Sequence, residues 1–253
     1  MTDALPKKRV LGYADEISRA PGEKIRFMVS CDGVESYDAA IVRLISGDRH
    51  PESFGFIEEP VATPLQGCYR GRHQPLHAGS YAVIDDWDGF ALESFTLQAM
   101  IWPTRPGQGR QVVLGRFSAG ERRGYALILD EDGAVALEIG GGTRTVRVAS
   151  GVTLHSRRWA FVGASFDARS GIARLYQEPL EILADSSPVA REAQLDARPA
   201  RNGVPFLIAA DTAAMPGGKL VAGHHFDGKI DAPRVAGAAL DRAAMQALIR
   251  PAA

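Results

Sequence analysis

Apolar and polar side chains alternate in short segments along the second half of this chain, and the alternation predicts β-strands. Residues 95–102 form one such segment, which Pro103 ends, and residues 124–129 and 134–139 form two more. The last two are joined by residues 130–133 (Asp-Glu-Asp-Gly), which predict a hairpin turn in which glycine supplies a positive φ. Further strands are predicted at residues 111–117, 143–148, 158–166, 171–176, 204–209 and 226–235. Eight or more such strands in about 160 residues predict a two-sheet jelly roll.

The first part of the chain carries shorter strand patterns, separated by turns. Residues 50–78 are rich in proline and glycine, so we predict long loops there with one strand at most, and residues 177–204 also show only a weak pattern. The chain is therefore predicted to be all-β. A small immunoglobulin-like β-sandwich is expected over residues 8–88, followed by the jelly roll over residues 89–253. The strands of the small sandwich are predicted at residues 9–14, 24–29, 39–45 and 79–84.

The segment after the last predicted strand has the pattern of a short capped helix. Asp241 stands at the N-cap position, where its carboxylate can accept a hydrogen bond from a free backbone N–H. Leu240 and Met245 have the spacing of a hydrophobic staple, and Pro251 prevents continuation. Because a helix of two or three turns is marginal in water, we expect it to pack on the preceding sheet.

Charge and cysteine content exclude several classes of function. The 29 basic and 30 acidic side chains leave a net charge of −1, which gives no electrostatic basis for binding nucleic acid or an anionic membrane. No segment approaches the roughly 20 apolar residues of a membrane span, and residues 1–8 lack the apolar core of a signal peptide. Cys31 and Cys68 are the two cysteines, so we predict free thiols in a reducing cytoplasm.

No arrangement of side chains in the sequence demands a reaction, and no catalytic residue is predicted. His73 and His77 are four residues apart, but Pro75 between them prevents the shared helix face of a zinc protease. Residues 224–225, both histidine, precede the last strand and would point to opposite faces, which favours hydrogen-bonding roles over a metal site. The acidic residues 130–132 fall on a turn, where solvation accounts for them, so paired glycosidase carboxylates are disfavoured.

Oxygen donors for a structural calcium ion are the best metal candidates. Asp227 and Asp231 are proposed as ligands, with Asp86 and Asp88 as further donors, and Gly228 would permit a tight loop. The favoured alternative is that Asp231 accepts backbone N–H bonds in a turn while the earlier acids are solvated. No other cofactor is expected in this chain.

Five segments in the second half resemble the laminin-G-like, or concanavalin A-like, jelly-roll family. They are FTLQAMIWP at 95–103, GYALILDEDG at 124–133, RWAFVGASFD at 158–167, ARLY at 173–176 and FDGKID at 226–231. Their order and spacing match throughout residues 94–249. The resemblance implies a jelly roll used as a binding or spacer module, and it fixes no activity.

Segments in the first part extend the resemblance over essentially the whole chain, to the N-terminal part of the large (beta) subunit of the N,N-dimethylformamidase family. They are GY at 12–13, APGEKIRFMVS at 20–30, VRLISGD at 42–48 and GCYRGR at 67–72. In that family an iron-dependent amidohydrolase domain follows, with tyrosine and glutamate ligands, and a small second subunit accompanies it. This chain stops at Ala253, about where that domain would begin. No iron ligand can therefore be carried over.

The resemblance leads to an expected function without catalysis. The two modules would support assembly with, or access to, the catalytic domain of the same large subunit, contact the small subunit, or self-associate in a homo-oligomer. The alternative is a carbohydrate-binding module, for which Tyr69 and Trp87 are the candidate residues that stack on sugar rings. Trp102 and Trp159 lie in strand patterns, where core packing is the favoured role.

Overall fold

Alternating side chains place close to half of this chain in β-strands, and the predicted all-β class is confirmed. The computed structural model describes residues 8–74, 79–84, 88–181 and 187–248. Six residues named above lie outside these ranges: Pro75, His77, Asp86, Trp87, Pro251 and Ala253. The chain divides into two units, Met1–Ala78 and Gly79–Ala253.

The first unit holds six described strands, paired as three antiparallel two-stranded ladders. The strands are β1 (Val10–Ala14), β2 (Phe27–Cys31), β3 (Ser36–Ala39), β4 (Val42–Ser46), β5 (Ile57–Pro60) and β6 (Gly67–Arg70). β1 pairs with β2, β3 with β6 and β4 with β5. Two strands, β5 and β6, lie within residues 50–78, where one at most was predicted. The immunoglobulin-like arrangement of this unit stays a prediction.

Burial in the first unit is slight. Cys31 is 2% exposed, and no other described residue of this unit is buried. Cys31 and Cys68 are both free thiols, as predicted. Because three separate ladders cannot cover one another's apolar side chains as two stacked sheets do, the unit has little hydrophobic core of its own.

The second unit contains the remaining strands and the α-helix. They are β7 (Ala82–Ile84), β8 (Phe95–Pro103), β9 (Gln111–Ser118), β10 (Arg123–Leu129), β11 (Ala134–Gly141), β12 (Thr145–Thr153), β13 (Ala160–Asp167), β14 (Ile172–Pro179), β15 (Val189–Gln194), β16 (Phe206–Ile208), β17 (Asp211–Ala214), β18 (Val221–Gly223), β19 (Gly228–Ala236) and helix α1 (Arg242–Ala247). A 3-10 turn, Pro216–Gly218, lies between β17 and β18.

The strands of the second unit form two sheets, which confirms the jelly roll. The larger sheet has eight strands, with the order β12-β11-β10-β9-β16-β7, and β17 joins it through β9 and carries β18. The smaller sheet has five strands in the order β15-β14-β13-β8-β19. β10 and β11 form the predicted hairpin, and Gly133 in its turn has a φ of 80°.

Strand β10 shows why the two sheets pack together. Leu127 belongs to the main core, whereas its neighbours Ala126 and Ile128 belong to a smaller cluster on the opposite face of the sheet. Phe95 of the five-stranded sheet stacks on Tyr125 of the eight-stranded sheet, with ring centroids 4.2 Å apart. The predicted alternation therefore becomes one continuous apolar layer between the sheets.

Strand β7 belongs to the jelly roll and not to the first unit. Its residues Ala82–Ile84 pair with Phe206–Ile208 of β16 in the eight-stranded sheet. The division between the units consequently falls at 78/79, and the predicted boundary at 88/89 is corrected.

Strand β15 lies in the region for which the sequence showed only a weak pattern. It pairs with β14 at one edge of the five-stranded sheet. Only Val189 and Ala193 are partly buried, and the strand's other side chains are exposed. An edge strand of this kind buries too few side chains to leave a clear alternation in the sequence.

The capped helix predicted at the C-terminal side is confirmed. Asp241 Oδ1 accepts a hydrogen bond from the backbone N–H of Ala244 at 2.8 Å. Met245 is buried beside Phe161 on the face of the five-stranded sheet opposite the main core, and Leu240 packs against the same cluster. The helix is therefore held by its N-cap and by apolar packing on this sheet.

Replacing Asp241 by alanine should reduce stability, because the N–H of Ala244 loses its acceptor. We expect a loss of about 1 kcal/mol in the free energy of unfolding, measured by urea titration. Asp241→Asn is the matched control and should stay close to wild type, since asparagine caps as well as aspartate. Equal losses in both variants would contradict the role of this cap.

Candidate functional site

The two aspartates predicted as calcium ligands lie along the edge strand β19. Asp227 precedes the strand, and its Oδ2 accepts a hydrogen bond from Arg105 Nε at 2.7 Å, whereas Asp231 lies within the strand. Four extended residues separate their Cα atoms by roughly 13 Å, so the two carboxylates do not share one ion. Among the described residues, no group of three or more His, Cys, Asp and Glu side chains could hold a metal ion. A calcium ion at either aspartate stays a prediction.

Tyr69, one of the two aromatic residues predicted to bind glycans, lies in β6. The ring of Tyr69 stacks on that of Tyr37, with centroids 5.7 Å apart. The Tyr69 hydroxyl donates to the carbonyl of Leu65 at 2.7 Å. One face of the ring and the hydroxyl are therefore already used within the first unit. Trp87 lies outside the described residues, so a glycan site built from this pair stays a prediction.

A group of charged side chains that the sequence did not predict to meet lies on the eight-stranded sheet, on the face opposite the main core. We call it the charged cluster; its members are Arg110, Glu131, Glu138, Arg147, Asp211 and His224. These residues come from the loop before β9, the turn between β10 and β11, strands β11, β12 and β17, and the segment after β18.

Strand register brings the centre of this cluster together. Glu138 of β11 lies directly opposite Arg147 of β12. Its neighbours Leu137 and Ile139 point into the main core, so alternation turns Glu138 to the other face. Arg110 immediately precedes β9, and Asp211 opens β17, which joins β9.

All four carboxylate oxygens of Glu138 and Asp211 are hydrogen-bonded. Glu138 Oε2 accepts from Arg110 Nε at 3.0 Å and also from Arg110 Nη2, while Glu138 Oε1 accepts from Arg147 Nη2 at 3.0 Å. Asp211 Oδ2 accepts from Arg110 Nη1 at 2.6 Å. Arg110 thus bridges two carboxylates, which are 4% and 1% exposed respectively.

The electrostatic balance keeps both arginines charged. Burial opposes the charge of Arg110, but the carboxylates of Glu138 and Asp211 outweigh it and raise the pKa of Arg110. Burial likewise opposes the charge of Arg147, and Glu131 and Glu138 raise its pKa on balance. At the exposed end, the hydrogen bond from Arg147 lowers the pKa of Glu131. The cluster is therefore a network of charges that neutralise one another.

His224 lies at the rim of the cluster. Its side chain is 42% exposed, its Nδ1 lies 2.9 Å from Asp211 Oδ1, and its backbone has a φ of 47°. A histidine oriented by a buried carboxylate is an element of acid–base catalysis. Here the same carboxylate also neutralises Arg110. We therefore interpret the contact as part of a brace between β9, β17 and the segment after β18.

The sequence contains one signal for this cluster. Glu138 interrupts the otherwise apolar run of β11, and a charge in a buried strand requires a partner. The identity of that partner could not be inferred. Arg110 is 28 residues from Glu138 and 101 residues from Asp211 along the chain, and only the sheet brings them together.

The first unit presents a surface of a different kind. β4 and β5 pair only with each other in the described part of the chain. Val42, Leu44 and Ile45 of β4 and Ile57 of β5 are exposed, Leu44 by 57%; we call this set the apolar ladder. A two-stranded ladder alone is marginal in water, and the exposed apolar side chains of this one offer surface for a partner.

The two-sheet fold defines the class of protein. The laminin G family model of the concanavalin A-like lectin/glucanases superfamily matches residues 76–246, and the chain belongs to this superfamily. A solved structure with this fold is the CBM40 of Ruminococcus gnavus IT-sialidase, at a TM-score of 0.52 and 15% identity over 67% of this chain and 92% of that one. At this identity the likeness shows the fold alone.

Two curated relatives are more similar in sequence. The chain is 34% identical over 246 residues to the N,N-dimethylformamidase beta subunit of Paracoccus aminophilus, and 34% identical over 245 residues to that of Alcaligenes sp. The matches cover 92% and 91% of this chain. They confirm the resemblance to the dimethylformamidase large subunit. The chain spans about a third of the length of these relatives, since 32% of each is covered.

A search for membrane-crossing helices finds none among the described residues that is long and apolar enough. The cytoplasmic location stays a prediction.

Replacing Glu138 by glutamine should be strongly destabilising, because two arginines lose their shared buried counter-charge. We expect a loss of roughly 3 kcal/mol or more in the free energy of unfolding, measured by urea titration. Glu131→Gln is the matched control at the exposed end of the same network, and its loss should stay below about 1 kcal/mol. Similar losses in the two variants would contradict the buried role of Glu138.

Proposed function

We propose that this chain consists of non-catalytic β modules of a dimethylformamidase-like large subunit, which dock on a catalytic region and shape access to it. The apolar ladder carries this proposal. It exposes Val42, Leu44, Ile45 and Ile57 in a unit that has almost no core, so a second body is needed to bury them. The relatives offer such a body, because about two thirds of their length lies outside the match.

The charged cluster supports a role without catalysis. A general acid or base must be free to exchange a proton with substrate. In Glu138 and Asp211 every carboxylate oxygen already accepts a hydrogen bond, and Arg110 pairs with both groups. Both acids are buried, so the cluster serves the stability of the sheet.

The first unit supports a role in assembly. Most of the exposed large apolar side chains among the described residues lie in it, from Val10 in β1 to Tyr69 in β6. Surfaces of this kind are typical of interfaces that persist, which are more apolar than the rest of a protein surface. In this proposal the catalytic region holds the iron. A small second subunit or another copy of the chain would be a further partner.

The purified chain should not release dimethylamine from dimethylformamide. The reason is that the proposal places the iron and the reacting groups outside these residues. Dimethylamine release is measured after incubation with iron, and the Paracoccus aminophilus enzyme serves as the positive control. Turnover that depends on Glu138 or Asp211 would overturn the proposal.

Leu44→Glu should weaken docking, because it places a charge in the apolar ladder. The partner in this experiment is the Paracoccus aminophilus beta subunit from which the matching region has been deleted, and calorimetric titration measures the affinity. We expect binding at least tenfold weaker than that of the unmodified chain, since burying an unpaired charge at an interface is costly.

Val152→Glu is the matched control, because Val152 is also exposed and apolar but lies in the second unit. Its affinity should stay within twofold of the unmodified chain. Equal weakening by both variants, or none by Leu44→Glu, would contradict docking through the apolar ladder.

Saturable binding to glycans that Tyr69→Ala abolishes would favour the carbohydrate-binding alternative.

A further inference from the structure

Arg116 of β9 is a buried cation whose hydrogen bonds, in the described part of the chain, go to backbone carbonyls. Its Nε donates to the carbonyl of Val204 at 2.9 Å, and its Nη2 donates to the carbonyl of Asn202 at 3.0 Å. The residue is 6% exposed. A guanidinium has five N–H donors, and Nη1 of Arg116 donates to no acceptor among the described residues. Arg116 also forms no ion pair with a described residue, in contrast to Arg110.

Arg116 lines a small pocket that is open to solvent and has a cavity volume of ≈ 60 Å³. This is room for only a few non-hydrogen atoms, since one water needs about 10–15 Å³ of such volume. Phe90, Leu92 and Pro199 supply apolar walls. The pocket therefore combines a buried positive charge with hydrocarbon surface.

Tyr125, which also lines the pocket, does not neutralise Arg116. Its hydroxyl donates to the carbonyl of Phe90 at 2.8 Å. Burial raises the pKa of Tyr125 well above its usual range, and the charge of Arg116 offsets this only in part. The phenol is therefore neutral at physiological pH.

The wall of the pocket has a second polar atom without a partner. Asn202 Oδ1 is buried and accepts no hydrogen bond in the described part of the chain. Asn202 and Arg201 also line an adjoining depression, to which Arg123 contributes. Glu93 and Glu121 line the two depressions, and neither forms an ion pair with Arg116 among the described residues. In the described part of the chain, the charge of Arg116 is therefore met by two backbone carbonyls and not by a direct ion pair.

We propose that this pocket binds a small carboxylate with a hydrocarbon tail. A carboxylate matches the planar donor fork of a guanidinium and supplies the missing negative charge. The tail packs against Phe90 and Leu92, which a bare inorganic anion cannot do. The inference is independent of the docking proposed above, because every residue of the pocket belongs to the jelly roll.

Propionate is the probe for the unmodified chain, and propionamide is its neutral control of the same shape. In a titration followed by two-dimensional ¹H–¹⁵N NMR, propionate should shift signals of residues lining the pocket, including Gly124 and Asn202, with saturation in the millimolar range. Propionamide and inorganic phosphate should bind at least tenfold more weakly. No saturable shift with propionate, or shifts confined to other regions, would overturn the proposal. Equal binding of phosphate would overturn the assignment to carboxylates.

Arg116→Lys tests whether binding needs the planar donor arrangement of the guanidinium and not the positive charge alone. Lysine retains the positive charge but lacks the planar fork, so the affinity for propionate should fall at least tenfold. Arg174→Gln is the control, because Arg174 pairs with Glu192 on the five-stranded sheet and lies outside this pocket. Its affinity should be unchanged. Unchanged binding in Arg116→Lys would contradict the proposal, and the propionate–propionamide comparison decides it even if that variant does not fold.

Discussion

Burial of apolar side chains between the eight-stranded and five-stranded sheets is the interaction on which the second unit depends. Phe95 and Tyr125 stack across the two sheets, and Phe166 and Phe206 extend the aromatic layer. Each fully buried side chain of this size contributes on the order of 2 kcal/mol or more. Because strand residues alternate between faces, this one layer also decides which residues remain for the opposite faces.

The opposite faces carry the features that distinguish this jelly roll. On the five-stranded sheet, Met245 of the closing helix packs on Phe161. On the eight-stranded sheet, Arg110 bridges Glu138 and Asp211 in the charged cluster. Removing three charges from water is costly, and the complete pairing of the carboxylate oxygens offsets that cost. The cluster therefore ties strands that are distant in the chain without adding to the apolar core.

The two units differ in how their strands are stabilised. The jelly roll buries its own apolar side chains, whereas the first unit leaves Leu44 and its neighbours exposed and buries little beyond Cys31. In the dimethylformamidase beta subunits the matched region is about a third of a longer chain. A module with an exposed apolar ladder fits such a setting, because interfaces inside larger subunits complete cores that a small module cannot build.

Local sequence was sufficient for much of the fold. Period-two alternation located the long strands of the jelly roll, and the N-cap Asp241 with its staple located the helix, because these signals arise between residues close in sequence. Edge strand β15 was missed because it buries too few side chains to leave a clear alternation. The assignment of β7 to the jelly roll was missed because it depends on pairing with the distant strand β16.

The candidate sites depended on tertiary structure for the same reason. Glu138 could be recognised as a charge in an apolar strand, but its partners Arg110 and Asp211 come from other parts of the chain. Arg116 resembles any other strand arginine in the sequence. Its burial without a carboxylate appears only when the loop that carries Asn202 folds over it. Sequence determined the alternation and the caps, and the tertiary structure decided which charges are buried and which of them are paired.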